Sequence, residues 1–238
     1  MYQGLGMGFS AIFITSFLIL LIGIIPLLYL SLNDETTSKK ETSILDQFKM
    51  IPLIFKHRKL LYTLIVFQID GFSWSLIFMY TSIYIAQTLK ATPNDQAVIY
   101  LVSNIIGILG FIFSGYLSDK MKKRVFFLIL SELTGIIFLS LYVLAWNIFI
   151  IYISAIFMGF MFSFWGPIST AYITEKSEEI SKDIIPITMG VWGFLGSIAR
   201  TPGPLIGGYL YDCSSRAPFI TTIILLIFVI ILLIMIKD

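Results

Sequence analysis

The chain has 238 residues, of which 58% are hydrophobic and 13% charged, and its net charge is +2. Soluble domains average about 45–50% apolar and about 25% charged residues, so a water-soluble fold is excluded, and so small a charge argues against a nucleic-acid partner. A single cysteine, Cys213, and a single histidine, His57, exclude a disulfide framework and a multi-ligand Cys/His metal site; no cofactor is expected.

About 20 mostly apolar residues cross a hydrocarbon core of about 30 Å, and seven stretches qualify. The first, residues 9–32, lacks the basic lead and small-residue cleavage site of a signal peptide. A linker, 33–59, follows; its first part is polar. Its second part sets Ile44, Leu45, Phe48 and Ile51 among charges, which predicts a short surface helix that Pro52 interrupts. The second span, 60–86, carries Gln68, Asp70 and Trp74. The third, 97–117, carries Asn104 beside a stripe of Ser103, Gly107, Gly110 and Ser114. Glu132 lies in the fourth, 125–145. The fifth, 148–173, repeats the small-residue stripe with Gly159, Ser163, Gly166 and Thr170, and adds Trp165 and a kink at Pro167. The sixth, 184–211, holds Arg200, and the seventh is 219–236. No strict polar–apolar alternation runs through them, which argues against a β-barrel. The expected fold is all-α and membrane-integral, divided into a first helix (1–32), a linker (33–59) and a six-helix bundle (60–238).

Thirteen of the sixteen basic residues fall in loops on one side; only Lys90 and Arg216 fall on the other. Basic residues collect on the cytoplasmic face, which puts the N-terminus outside and the C-terminus inside a multi-pass cell-membrane protein. An outside N-terminus without a signal sequence makes residues 1–10 look like a truncation point.

Three charges remain inside the spans: Asp70, Glu132 and Arg200. Each costs roughly 2.5–3.5 kcal/mol on insertion scales, so such groups face a cavity or a partner. Arg200 shares a helical stripe with Gly193, Gly196, Gly203 and Gly207, and Pro202 and Pro204 bend the helix just beyond it. It therefore points to the protein interior. Two roles are open to it: a structural ion pair with Asp70 or Glu132, or recognition of an anionic substrate with a part in coupling. Asp70, near the midplane, is equally open to titration during transport and to static pairing. Glu132, seven residues from the inner end, reads as structural. Gln68 stands on a different helix face from Asp70, whereas Trp74, one turn on, can line the same cavity. Asn104 needs a hydrogen-bond partner, and Trp165 reads as core packing or lipid contact before pocket lining.

Between the third and fourth spans the chain reads Gly115-Tyr116-Leu117-Ser118-Asp119-Lys120-Met121-Lys122-Lys123-Arg124. This segment resembles the loop motif of the major facilitator superfamily, G-x-L-a-D-r-x-G-R-K/R. Gly115, Leu117, Asp119, Lys120 and Arg124 match, Lys123 replaces an arginine, and Lys122 stands at the second glycine. In the sixth span Gly203-Pro204-Leu205-Ile206-Gly207-Gly208-Tyr209-Leu210 is similar to the family's G-P-x-x-G-G-x-L helix core. Gly115–Asp119 is echoed by residues 208–212, three spans later and at the opposite face, as inverted three-helix repeats would place it.

The resemblance implies helices six to twelve of a twelve-helix secondary transporter, with the long linker between its halves. It implies a small-molecule substrate, alternating access, a proton or sodium ion as coupling ion, and an N-terminal half supplied in cis or trans. The second, third, fifth and sixth spans would line the cavity or the interface between halves, with the fourth and seventh outside. Asp119 and Arg124 would lock and release helices. Two alternatives stand beside this reading: a seven-helix receptor or sensor, and a non-transporting fragment of a split transporter. A retinal receptor needs a buried lysine, and no span interior has one. Histidine-dependent membrane proteolysis lacks its histidine, since His57 is in the linker, so no enzymatic activity is expected.

Overall fold

In the computed structural model, residues 14–24, 26 and 44–236 are described. The chain divides into two units, 1–43 and 44–238. In the first, Ile14–Ile24 form an apolar helix, α1; the rest of the expected first span, and the polar part of the linker, lie outside the described residues.

The second unit opens with α2 (Ile44–Lys56), which continues through Pro52 instead of stopping there. Pro52 is exposed, so the carbonyl that loses its amide partner is not trapped in the core. Beyond α2 lie six helical stretches long and apolar enough to cross a membrane. They comprise α3 (Arg58–Ser75) with α4 (Tyr80–Thr88), α5 (Pro93–Met121), α6 (Arg124–Leu144) and α7 (Ile148–Glu178), then α8 (Ile185–Arg200) with α9 (Gly203–Cys213), and finally α10 (Ala217–Met235). Sequence signals set the starts. His57 caps α3, Asn147 caps α7, and Thr92 forms a capping box with Asp95 ahead of Pro93 in α5.

The two small-residue stripes meet. Gly159 of α7 sits so close to α5 that a methyl group there would come within 2.6 Å of the Ser103 carbonyl oxygen. One turn further on, the Ser114 hydroxyl donates to the Ser163 carbonyl at 2.6 Å. Close backbone approach is what small residues supply at a membrane helix interface. Pro167 lies within the unbroken α7. Trp165 packs its ring 5.1 Å from Phe67 in the core. α6 packs on α7 and α10, α10 also on α3, and α3 on α8.

Two spans are broken. Thr201-Pro202 separates α8 from α9, as the prolines require. The break between α3 and α4, at residues 76–79, contains neither glycine nor proline, and its cause is the facing helix. A Cβ at Gly203 would overlap the Ser75 side chain, and one at Gly207 would lie 2.0 Å from the Leu76 carbonyl oxygen. Tyr80 N–H turns to Ile77, and Tyr80 Oη donates to the Pro204 carbonyl at 2.8 Å. The two breaks are thus held together by glycine contacts and a tyrosine.

Buried apolar residues form two clusters. One, toward the end bearing Lys120–Arg124, contains Leu64, Phe67, Leu128 and Tyr172; the other contains Tyr84, Phe138, Tyr142 and Phe219. Between them in sequence on both α3 and α6 lies a polar layer with Asp70, Ser73, Ser131 and Glu132, all buried. Its hydroxyls are satisfied by backbone: Ser131 donates to Met161, Ser73 to Ile69, and Thr222 of α10 to the Ser73 carbonyl.

Candidate functional site

The polar layer assembles on α3 because three residue types recur within two turns: an amide, an acid and an indole. Asp70 is 3% exposed and Glu132 1%. Trp74, one turn beyond Asp70 on α3, packs against Gly135 and Phe138 of α6, which sets the Asp70 and Glu132 turns of the two helices side by side. The Trp74 ring rests on Gly135 of α6, where a methyl group would come within 2.8 Å of it. Trp74 therefore fills the α3–α6 interface, one turn from Asp70.

Arg200 ends α8 beside this layer. Its guanidinium lies over Gly71, where a methyl group would come within 2.8 Å of Nε and 3.1 Å of Nη2. Its charge acts on Asp70, yet among the described residues no ion pair within 4 Å joins it to either acid. Arg200 is exposed. Gly196, one turn earlier, leaves space for both Arg200 Nη1 and Gln68 Oε1, the latter 3.2 Å from where its Cβ would stand. Gln68 and Asp70 do point from different helix faces, but Arg200 reaches across both. Gln68 donates to the Trp192 carbonyl at 3.3 Å and borders a groove of about 430 Å³ with Leu64, Phe72, Leu195 and Ala199.

Three buried oxygens, Asp70 Oδ1, Glu132 Oε2 and Gln68 Oε1, have no hydrogen-bond partner among the described residues. Buried acceptors are nearly always paired, and an unpaired one costs about 1–3 kcal/mol. The layer therefore retains hydrogen-bonding capacity that the described residues do not use.

The other predicted residues are placed elsewhere. Asn104 is on the exposed face of α5, apart from the acids, and Trp165 belongs to the core. Gly193 has open space around it, while Gly208 meets the Tyr80 hydroxyl. At the basic end, Arg124 joins Asp119 at 2.6 Å and Glu175 at 2.7 Å, and donates to Ser118 Oγ at 2.9 Å. This network ties α5, α6 and α7. Lys122, standing where the loop motif carries glycine, adopts the left-handed conformation with φ 54°, a backbone geometry that glycine takes without strain. Lys120 sits 6.0 Å over the Tyr116 ring. The Lys123 side chain caps nothing, and Gly115 has open space around it.

Sequence reasoning missed Glu175 and Gly71. Glu175 could have been found as an acid on the side where basic residues collect. Gly71 could have been found as a small residue next to an intramembrane acid.

With this geometry in view, comparison with known proteins decides the family. A sequence model described as Major Facilitator Superfamily matches residues 3–185. The chain belongs to the Major Facilitator Superfamily. An uncharacterized MFS-type transporter of Bacillus subtilis (strain 168), YqjV, is 23% identical over 166 residues, which is 67% of this chain and 38% of that protein. The chain spans little more than a third of the length of this curated relative. Family membership and six apolar helices among the described residues together make it a multi-pass membrane protein.

Proposed function

We propose that the chain is the C-terminal half of a secondary transporter that moves a small solute by alternating access and is ion-coupled. The first helix and linker precede a six-helix half-bundle, the N-terminus faces outside, and the C-terminus is cytoplasmic. The observation that carries this reading is the Asp70–Glu132–Arg200 layer. It keeps charge between two apolar clusters, with Arg200 itself exposed. A charge kept at such cost within a membrane bundle marks a substrate or ion path.

The burial pattern supports a missing partner. α5 and α8–α9 are the least buried of the six spans, and exposed Ile108, Ile112, Phe194 and Leu205 lie on them. These are two of the four spans that the resemblance places at the cavity or the interface between halves, and an N-terminal half in cis or trans would cover them. In this reading the Asp119–Arg124–Glu175 network at the cytoplasmic end breaks and reforms as the halves rock, and the protein is not an enzyme.

The test is uptake by proteoliposomes holding either this chain alone or a complete transporter that contains it, across a panel of small anions, amino acids and sugars. The complete protein should concentrate a solute when an ion gradient is imposed, and the chain alone should not. Robust concentrative uptake by the chain alone would contradict the half-transporter reading.

A further inference from the structure

We propose that a groove between the start of α3 and the end of α10 binds one anionic phospholipid. Its phosphate would sit on Arg58 and Lys59 and an acyl chain would run past Ile65. The proposal requires a membrane protein and is independent of the transporter reading.

The groove has a volume of about 490 Å³. Arg58 and Lys59 border it where α3 begins, Leu61 and Ile65 lie further along α3, and Met235 stands on the α10 side. Arg58 to Ile65 is two helical turns, about 10 Å along the axis. Charge thus gives way to hydrocarbon over a distance comparable with the headgroup zone of one leaflet. Tyr62 ties the two walls together, its hydroxyl donating to the Leu232 carbonyl at 3.2 Å. That carbonyl is open to it because the Ile236 amide turns to Leu233 instead.

The charge along this edge is one-sided. From residue 47 to residue 69 the sequence carries Lys49, Lys56, Arg58 and Lys59 and no acid. Arg58 and Lys59 are exposed, and neither joins an acid within 4 Å among the described residues. The Lys59 charge is felt at Glu179, but that carboxylate takes its hydrogen bond from Lys176. The other wall supplies no counter-charge, since Ala217–Met235 contains neither Asp nor Glu.

The combination selects the ligand. A free phosphate would use the cations and leave the apolar floor bare. A zwitterionic lipid would bring its own ammonium group against Arg58 and Lys59. An anionic phospholipid satisfies both parts of the groove, and basic pockets between membrane helices are suited to acidic headgroups. α2 meets the same layer: Leu53 and Phe55 are exposed just ahead of Arg58, with Lys49 and Lys56 around them. Apolar and basic side chains so mixed are those of a helix lying in a lipid interface.

The test is native mass spectrometry of the 238-residue chain, titrated with phosphatidylglycerol, with phosphatidylcholine of the same acyl chains, and with glycerol phosphate. One phosphatidylglycerol should bind at least about fivefold more tightly than phosphatidylcholine, and glycerol phosphate should not be retained. Arg58→Gln combined with Lys59→Gln should weaken phosphatidylglycerol binding by about fivefold for each cation removed. Lys120→Gln combined with Lys123→Gln removes as much charge elsewhere and should leave that binding unchanged. The lipid series uses the unmodified chain, so a variant that fails to fold does not shield the proposal. Equal binding of the two lipids, glycerol phosphate held as tightly as the lipid, or the same loss in both double variants would overturn it.

Discussion

Two clusters in this chain have the same ingredients, two acids and one arginine, and join them in opposite ways. At the basic end, Arg124 bonds both Asp119 and Glu175, whose side chains are 67% and 48% exposed. In the membrane layer, Asp70 and Glu132 are both buried, and Arg200 stands off over Gly71. Water explains the difference. Acids in contact with water pair readily with a cation, whereas burial penalises every charge it encloses. The exposed cluster is a fastening between helices; the buried one retains unmet bonding capacity.

The contrast can be broken most severely at Glu132. Glu132→Ala removes a buried acid beside the Asp70 turn and leaves a cavity, which should cost about 3 kcal/mol of stability. Glu132→Gln keeps shape and hydrogen bonding and should cost about 1 kcal/mol. Thermal unfolding of both variants in detergent checks this, and equal losses would mean that Asp70 does not depend on its neighbour.

The contact holding α9, and through it the end of α8, against the broken span comes next. Gly207→Ala drives a methyl group against the Leu76 backbone, which cannot swing aside as a side chain can. A loss of about 2 kcal/mol is expected. Gly71→Ala meets only the flexible Arg200 side chain and should cost less, in the same unfolding assay.

A double-mutant cycle on Arg124 and Glu175 should give a coupling of about 1 kcal/mol that shrinks with salt, as expected for a part-exposed pair in which two arginine N–H groups share one carboxylate oxygen. Coupling as large as the loss in Glu132→Ala would erase the distinction between the clusters.

The smallest effect concerns Glu179, beyond the end of α7. A hydrogen bond from Lys176 holds its carboxylate below the ordinary range. A depressed folded value stabilises the protein above the unfolded value, and the gain is lost as pH falls through the folded one. The group is largely solvent-screened, so Glu179→Gln should remove only a few tenths of a kcal/mol at neutral pH and nothing in acid.

Much of this architecture was legible in the amino-acid order. Hydropathy marked the six spans, the small-residue stripes on α5 and α7 suited close helix packing, and the prolines after Arg200 signalled a bend. The break at residues 76–79 was not legible, because it is imposed by Gly203 and Gly207 of another helix. The proximity of the Asp70 and Glu132 turns was hidden for a related reason. Depth counted from loop ends placed the two acids at different levels, but α3 and α6 do not start level, and packing sets those turns side by side. Lys122 was half legible: the loop motif's glycine signalled an unusual backbone, and the lysine adopts it.

The central claim is that the buried cluster, and not the exposed one, carries the coupling charge. It is tested most directly by uptake driven by an imposed pH gradient in proteoliposomes of the complete transporter, comparing Glu132→Gln with Glu175→Gln. The account predicts that Glu132→Gln abolishes the response to the gradient, while Glu175→Gln alters the rate but keeps that response. A gradient response that survives Glu132→Gln, or is lost equally in both variants, would contradict it.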